Sequence, residues 1–136
     1  MPLSTRAMLP GDWGLIKHFK PTEFNYPERM GFQFMLRLDA LRREAGVPCR
    51  ITSDYRTPAR NKKVGGAKDS AHTDEPICEG VDISPANNEH RYHIMRAFYV
   101  CGWERIGMYP NGSLHGDLTS DRRPSPRLWF VVENPA

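Results

Sequence analysis

The chain has 136 residues, a net charge of +3 at neutral pH and 39% apolar side chains, which suits one globular domain able to bury a core without disulfide staples. Its 19 basic and 16 acidic residues are interspersed, so the charge balance does not point to a nucleic-acid partner. No window approaches the ~20 apolar residues of a membrane span, and Cys49, Cys78 and Cys101, far apart and without a Cys-x-x-Cys pair, read as reduced, mostly buried thiols.

Residues 1–136 read as a single domain in which 1–14 and 133–136 are loosely anchored. The first six residues hold no apolar run, which leads to the expectation of synthesis in the cytosol with no export signal of the chain's own. Over 28–46, Phe34, Leu38, Leu41 and Ala45 fall on one helical stripe that Gly46 and Pro48 end. A short strand is expected at 49–53, then a long loop over 54–70, rich in Gly, Pro, Asn and Lys. Loops of that length inside compact domains are usually functional. A strand at 79–83 is followed by a helix over 87–101, with Ile94, Ala97, Phe98 and Cys101 at helical spacing and Gly102 as its cap. Further strands are expected at 105–109, 113–118 and 127–132, the first two joined by a Pro110-Asn111-Gly112 hairpin turn. The fold class is α+β, a small antiparallel sheet with helices on one face.

Period-two alternation sorts the strand residues. In 113–118, Leu114 and Leu118 face the core while Ser113, His115 and Asp117 share the other face; in 79–83, Asp82 points away from Val81 and Ile83, beside Gly80. If the two strands are neighbours, Asp82, His115 and Asp117 converge on the open face, and His72, at the end of the long loop, folds back over the same spot. Two imidazoles and one carboxylate from separate elements, with a fourth position open, are the ligand set of a catalytic zinc, and metal-assisted hydrolysis is the matching reaction class. On spacing alone the same residues read equally well as a surface His72, a strand-end cap at Asp82 and a half-buried His115.

Residues spread from about Phe19 to Trp129 decide between these readings. The run Ile51-Thr52-Ser53-Asp54-Tyr55-Arg56-Thr57-Pro58, then Asn61, Val64-Gly65-Gly66-Ala67 and Ser70-Ala71-His72, followed by Gly80-Val81-Asp82-Ile83 and Leu114-His115-Gly116-Asp117, resembles the zinc D-Ala-D-Ala carboxypeptidase family. That family includes phage endolysins and bacterial peptidoglycan endopeptidases and shares its metal fold with hedgehog signalling domains. The resemblance extends upstream to Phe19, Glu23 and Phe24. It implies one Zn²⁺ held by His72, Asp82 and His115, peptidoglycan stem peptides as substrate, and Arg56 in contact with a substrate carboxylate or the developing oxyanion, with Tyr55 and Ser70 beside it. Guanidinium suits that role because it stays charged and offers a planar fork of donors. Trp129 matches a tryptophan that supports the cleft in relatives.

Two departures stand out. The family spaces its first His and its Asp more closely than here, where 73–78 reads as an inserted rim loop that alters substrate choice or brings Cys78 to the metal. Many relatives also carry the general base three residues before the second His, a position that is Gly112 in this chain. Asp117 is the candidate base, with orientation of a ligand as its competing role; Glu104 ranks behind it. His90, His93 and His18 read as solvated residues, because the 89–93 segment has the wrong order and spacing for a His-Glu-x-x-His site. The functional expectation is a monomeric zinc peptidase of peptidoglycan, a phage lysis enzyme reaching the wall after holin-type release or in a virion. A catalytically weak zinc domain that binds wall peptides is the alternative, and nucleic-acid binding through Arg122-Arg123 and Lys62-Lys63 ranks last.

Overall fold

The computed structural model describes residues 6–130. Helix α1, Phe32–Ala45, turns Phe34, Met35, Leu38 and Leu41 into the core, each fully buried, and burial of such a side chain contributes about 1.5–3 kcal/mol. It starts later than the 28–46 stripe suggests. Met30 bridges to Cys78 and its carbonyl accepts the Met8 amide at 2.8 Å, so its backbone is spent outside a helix, and Pro27–Arg29 forms a separate 3-10 turn. Gly46 ends α1 at φ 68°, the left-handed conformation that favours glycine.

Strand β1 is Arg50–Ser53, and α2, Pro58–Lys63, lies inside the segment expected to be a loop. Thr57 caps α2 by accepting the Arg60 amide at 3.1 Å, with Pro58 at the first helical position. Strand β2, Gly80–Ser84, is followed by α3, Asn88–Val100, which Asn87 caps through the His90 amide. Strands β3, Arg105–Met108, β4, Leu114–Asp117, and β5, Arg127–Phe130, complete a five-stranded sheet of order β1-β2-β4-β3-β5. The pairings are antiparallel except β3 with β5, which run parallel. The expected tail of the last strand, 131–132, lies outside the described residues, as do 1–5 and 133–136.

One face of the sheet, with Val81, Ile83, Ile106 and Leu114, packs into the core beneath the paired helices α1 and α3. Gly116 lies on that face because a Cβ there would sit 2.5 Å from the Phe98 ring. The opposite face carries Gly80 and Asp82 beside Asp117 and His115, in the register Gly80↔Asp117 and Asp82↔His115. The opening segment, expected to be loose to residue 14, is tied down from Arg6 onward. Ala7 pairs with Gly31, Arg6 forms an ion pair with Asp12 at 2.6 Å, and Met8 is buried.

Candidate metal centre

His72 sits in a 3-10 turn, Ala71–Thr73, whose first amides are capped by Ser70: its hydroxyl accepts the His72 N–H at 3.2 Å. The Ser70 side chain thereby serves the turn. The His72 ring is fixed from behind, with Nδ1 2.6 Å from the Asp54 carbonyl. A carbonyl only accepts, so Nδ1 carries the proton and the lone pair of Nε2 points the other way, 3.1 Å from Asp82 Oδ1. The Asp54 carboxylate in turn holds the amides of Asn25 and Tyr26 at 3.2 and 2.8 Å.

His115 mirrors this arrangement from β4. Its Nε2 lies 2.7 Å from Asp117 Oδ2 and its Nδ1 3.0 Å from Asp82 Oδ1. Asp117 is fully buried and its other oxygen accepts Arg105 Nε at 2.8 Å, the Thr119 hydroxyl at 2.6 Å and the Thr119 amide at 3.1 Å. Burial opposes charge on Asp117, yet the bonds from His115 and Thr119 and the charge of Arg105 outweigh it and hold the carboxyl below its ordinary range. It is therefore an acceptor of the His115 Nε2–H, which leaves Nδ1 to offer its lone pair.

Lone pairs of two imidazoles and of Asp82 thus meet at one point, with the three ligand atoms all within 4.8 Å of one another. Such a convergence repels itself unless a cation sits in it. Zinc bonds of 2.0–2.2 Å at tetrahedral angles put ligand atoms about 3.4 Å apart, and the 3.0–3.1 Å separations observed here need only a slight opening to match. Without metal a proton does the same work: burial opposes it, but the bonds to Asp117 and Asp82 prevail and push the His115 pKa up to about 9. Asp82 is held far below the usual carboxylate range, because the charges and bonds of His72 and His115 overcome its burial.

The other faces of the site are equally specified. Trp129 lies over Gly107, where a Cβ would come within 2.8 Å of the indole, and its ring leans on His115 with centroids 5.5 Å apart. Arg56 bridges Ser53 Oγ at 3.0 Å, Asn61 Oδ1 at 2.9 Å and Asp82 Oδ2 at 3.4 Å. A cleft of about 660 Å³ opens from Asp82, lined by Tyr26, Tyr55, Arg56, Arg60 and Ser113 among others. Tyr55 is itself buried, and its hydroxyl donates to Glu75 at 2.7 Å.

The 73–78 loop, read above as an insertion, is pinned by two arginines. Arg123 grips Asp74 through both terminal nitrogens at 2.8 Å and Asp69 at 2.9 Å, while Arg122 reaches Asp74 and Glu79. The Arg122-Arg123 pair is thus engaged within the protein. Cys78 lies away from the metal triad, buried, with its thiol directed at the Gly80 and Ala71 carbonyls and pushed up to about 12 by burial. Gly112 has φ 91°, and the Arg91 guanidinium fills the place a side chain would take. Glu104 is exposed at the start of β3, where its carbonyl accepts the Arg127 amide.

Tyr109 joins the site without having been singled out from the sequence. Its hydroxyl stands 3.4 Å from each Asp82 oxygen, and burial together with the Asp82 charge raises the phenol above its ordinary value. The signal was available, since alternation through 105–109 puts Arg105, Gly107 and Tyr109 on one face, and Arg105 and Gly107 pair with Asp117 and His115.

A model of the Peptidase M15 family matches residues 17–115, well over half of the chain. The chain belongs to the M15 peptidases. Members of this family are zinc enzymes of the D-Ala-D-Ala carboxypeptidase type, and the matched span takes in Arg56, His72 and Asp82 and ends on His115. Asp117, Thr119 and Trp129, which brace His115 and its partners, fall beyond it. No curated protein gives a match to the chain. Membership and the His-Asp-His triad together support a metallopeptidase, and no helix among the described residues is long and apolar enough to cross a membrane.

Proposed function

We propose that this chain hydrolyses peptide bonds in the stem peptides of bacterial peptidoglycan, with His72, Asp82 and His115 holding a zinc ion. The observation that carries the reading is the convergence of three lone pairs at Asp82, which lines a cleft together with Arg56. Bound zinc would polarise a scissile carbonyl and acidify water. The protein's own residues supply the rest. Asp54 and Asp117 fix the two rings from behind, which sets their tautomers and orientation. Arg56 keeps a charged, planar donor at the cleft for a substrate carboxylate or an oxyanion. Of the two roles open to Asp117, orientation of His115 fits its full burial and its occupied oxygens better than proton transfer to substrate. The family that the 51–72 run resembles includes phage endolysins, and a lysis setting is part of this proposal.

A second reading, a zinc domain that binds wall peptides with weak or no turnover, is favoured by one feature. Among the described residues lining the cleft, Asp82 is the only carboxylate, and Gly112 occupies the position of the usual base. Digestion of purified peptidoglycan with and without a chelator, followed by mass spectrometry of the released muropeptides, separates the two. Chelator-sensitive release of cleaved stem peptides supports the peptidase, and the products tell trimming of a terminal D-Ala from an internal cut. Zinc-dependent binding without new products supports the second.

A further inference from the structure

The turn that removes the usual base also places a different group at the metal triad. The Tyr109 amide donates to Ser113 O at 2.9 Å and the Gly112 amide to Tyr109 O at 2.9 Å, so residues 109–113 close on themselves. Gly112, at φ 91° with Arg91 packed against it, cannot take an acidic side chain without rebuilding that turn. Tyr109, at the other end of the turn, brings its hydroxyl onto Asp82 instead. We infer that Tyr109 is the neutral hydrogen-bond donor that, with Arg56, stabilises the tetrahedral oxyanion formed from the scissile carbonyl.

The distances around Asp82 support the assignment, which rests on the peptidase reading. The phenol stands 3.4 Å from both Asp82 oxygens, including Oδ1, the atom that both histidines face. Hydroxyl hydrogen bonds are strongest near 2.7–2.8 Å, so this donor is split between two acceptors and held by neither. Arg56 reaches Asp82 Oδ2 at the same length, 3.4 Å. Both donors thus reach one carboxylate that borders the cleft, and both reach it only at 3.4 Å.

Addition of water to the scissile carbonyl forms a C–OH bond, converts C=O to C–O⁻ and releases one proton to solvent in the cleft. Collapse of that species breaks the C–N bond as the nitrogen takes up a proton from solvent and leaves as the amine. Tyr109 keeps its own proton throughout. Its O–H turns from Asp82 to the oxygen where charge develops, which is the geometry in which one fixed donor is worth about 10²–10³ in kcat.

The test is Tyr109→Phe, an isosteric change, compared with wild type in four measurements: zinc affinity by chelator competition, melting temperature, kcat and KM on a stem peptide, and calorimetric affinity for a phosphinate peptide that mimics the tetrahedral species. The expected result is unchanged zinc affinity and melting, kcat lower by about 10²-fold with KM nearly constant, and phosphinate affinity lower in proportion. Wild-type kcat and phosphinate affinity in the variant overturn the inference. So does a loss that tracks weaker zinc binding and disappears on adding zinc, which would make Tyr109 a support for Asp82 only. If wild type binds zinc but cleaves nothing, the peptidase reading fails, and phosphinate affinity still decides Tyr109: equal binding by both proteins overturns its role as a donor.

Discussion

The two carboxylates on either side of the His115 ring are held in different ways. Asp117, behind the ring, receives Arg105, Thr119 and His115 at 2.6–2.8 Å and is sealed from solvent. Asp82, in front, meets Arg56 and Tyr109 only at 3.4 Å and borders the cleft. Short, fully satisfied bonds fix a ring in place; long, shared ones leave donors ready to exchange partners. The back of the site is built for position and the front for exchange. A metal site that acts on a substrate needs both, because ligands must not move while the groups facing the substrate must.

The largest expected effect comes from removing a ligand. Wild type should carry about one zinc per chain, and His72→Ala or His115→Ala should lose nearly all of it together with activity; elemental analysis checks this, and full occupancy in both variants would dissolve the distinction between front and back. Weakening the back alone, Asp117→Asn should lower zinc affinity by about 10–100-fold, with activity returning as zinc is added. Activity that stays low at saturating zinc would return Asp117 to the base role. At the front, Arg56→Lys should lower kcat/KM by about tenfold or more while zinc content and melting hold, since a point charge does not replace a planar fork. Unchanged kinetics would show the guanidinium to be structural.

The smallest effect concerns the rim. Asp74 is held below its ordinary pKa, burial being outweighed by the bonds and charges of Arg123 and Arg122. A depressed folded pKa stabilises above the unfolded value near 3.8 and ceases to do so as pH falls through the folded one. Asp74→Asn should therefore lower melting by about 2–6 °C at pH 7, and the gap to wild type should close below about pH 4. A gap that persists in acid would assign the effect to packing.

What could be read in the sequence follows from how locally each feature is specified. The triad was legible because alternation places Asp82 and His115 on one face, and the M15-like run supplied His72. Pairing of β2 directly with β4 supplies the neighbour relation on which that convergence depends. Helix α2 was hidden by its length: six residues rich in lysine and asparagine carry no stripe, and only the Thr57-Pro58 cap marked it. Nothing local marks residues 6–14 as anchored, because their partners Gly31, Met30 and Phe32 lie some twenty residues away. Nor does anything local show that Arg122 and Arg123 both meet Asp74, 48 and 49 positions upstream. Alternation puts Asp117 on the face of His115, but its partners Arg105 and Thr119 come from pairing and a turn, which is why its role stayed open.

The register Asp82↔His115 also fixes when the site can come into being. The two ligands lie 33 positions apart, with all of α3 between them, and they meet only once β4 has docked along β2. Such a long closure is among the slower steps of a small domain. Any metal held by the triad would therefore be captured only after the sheet has assembled, which would make loading a late event in the life of the chain.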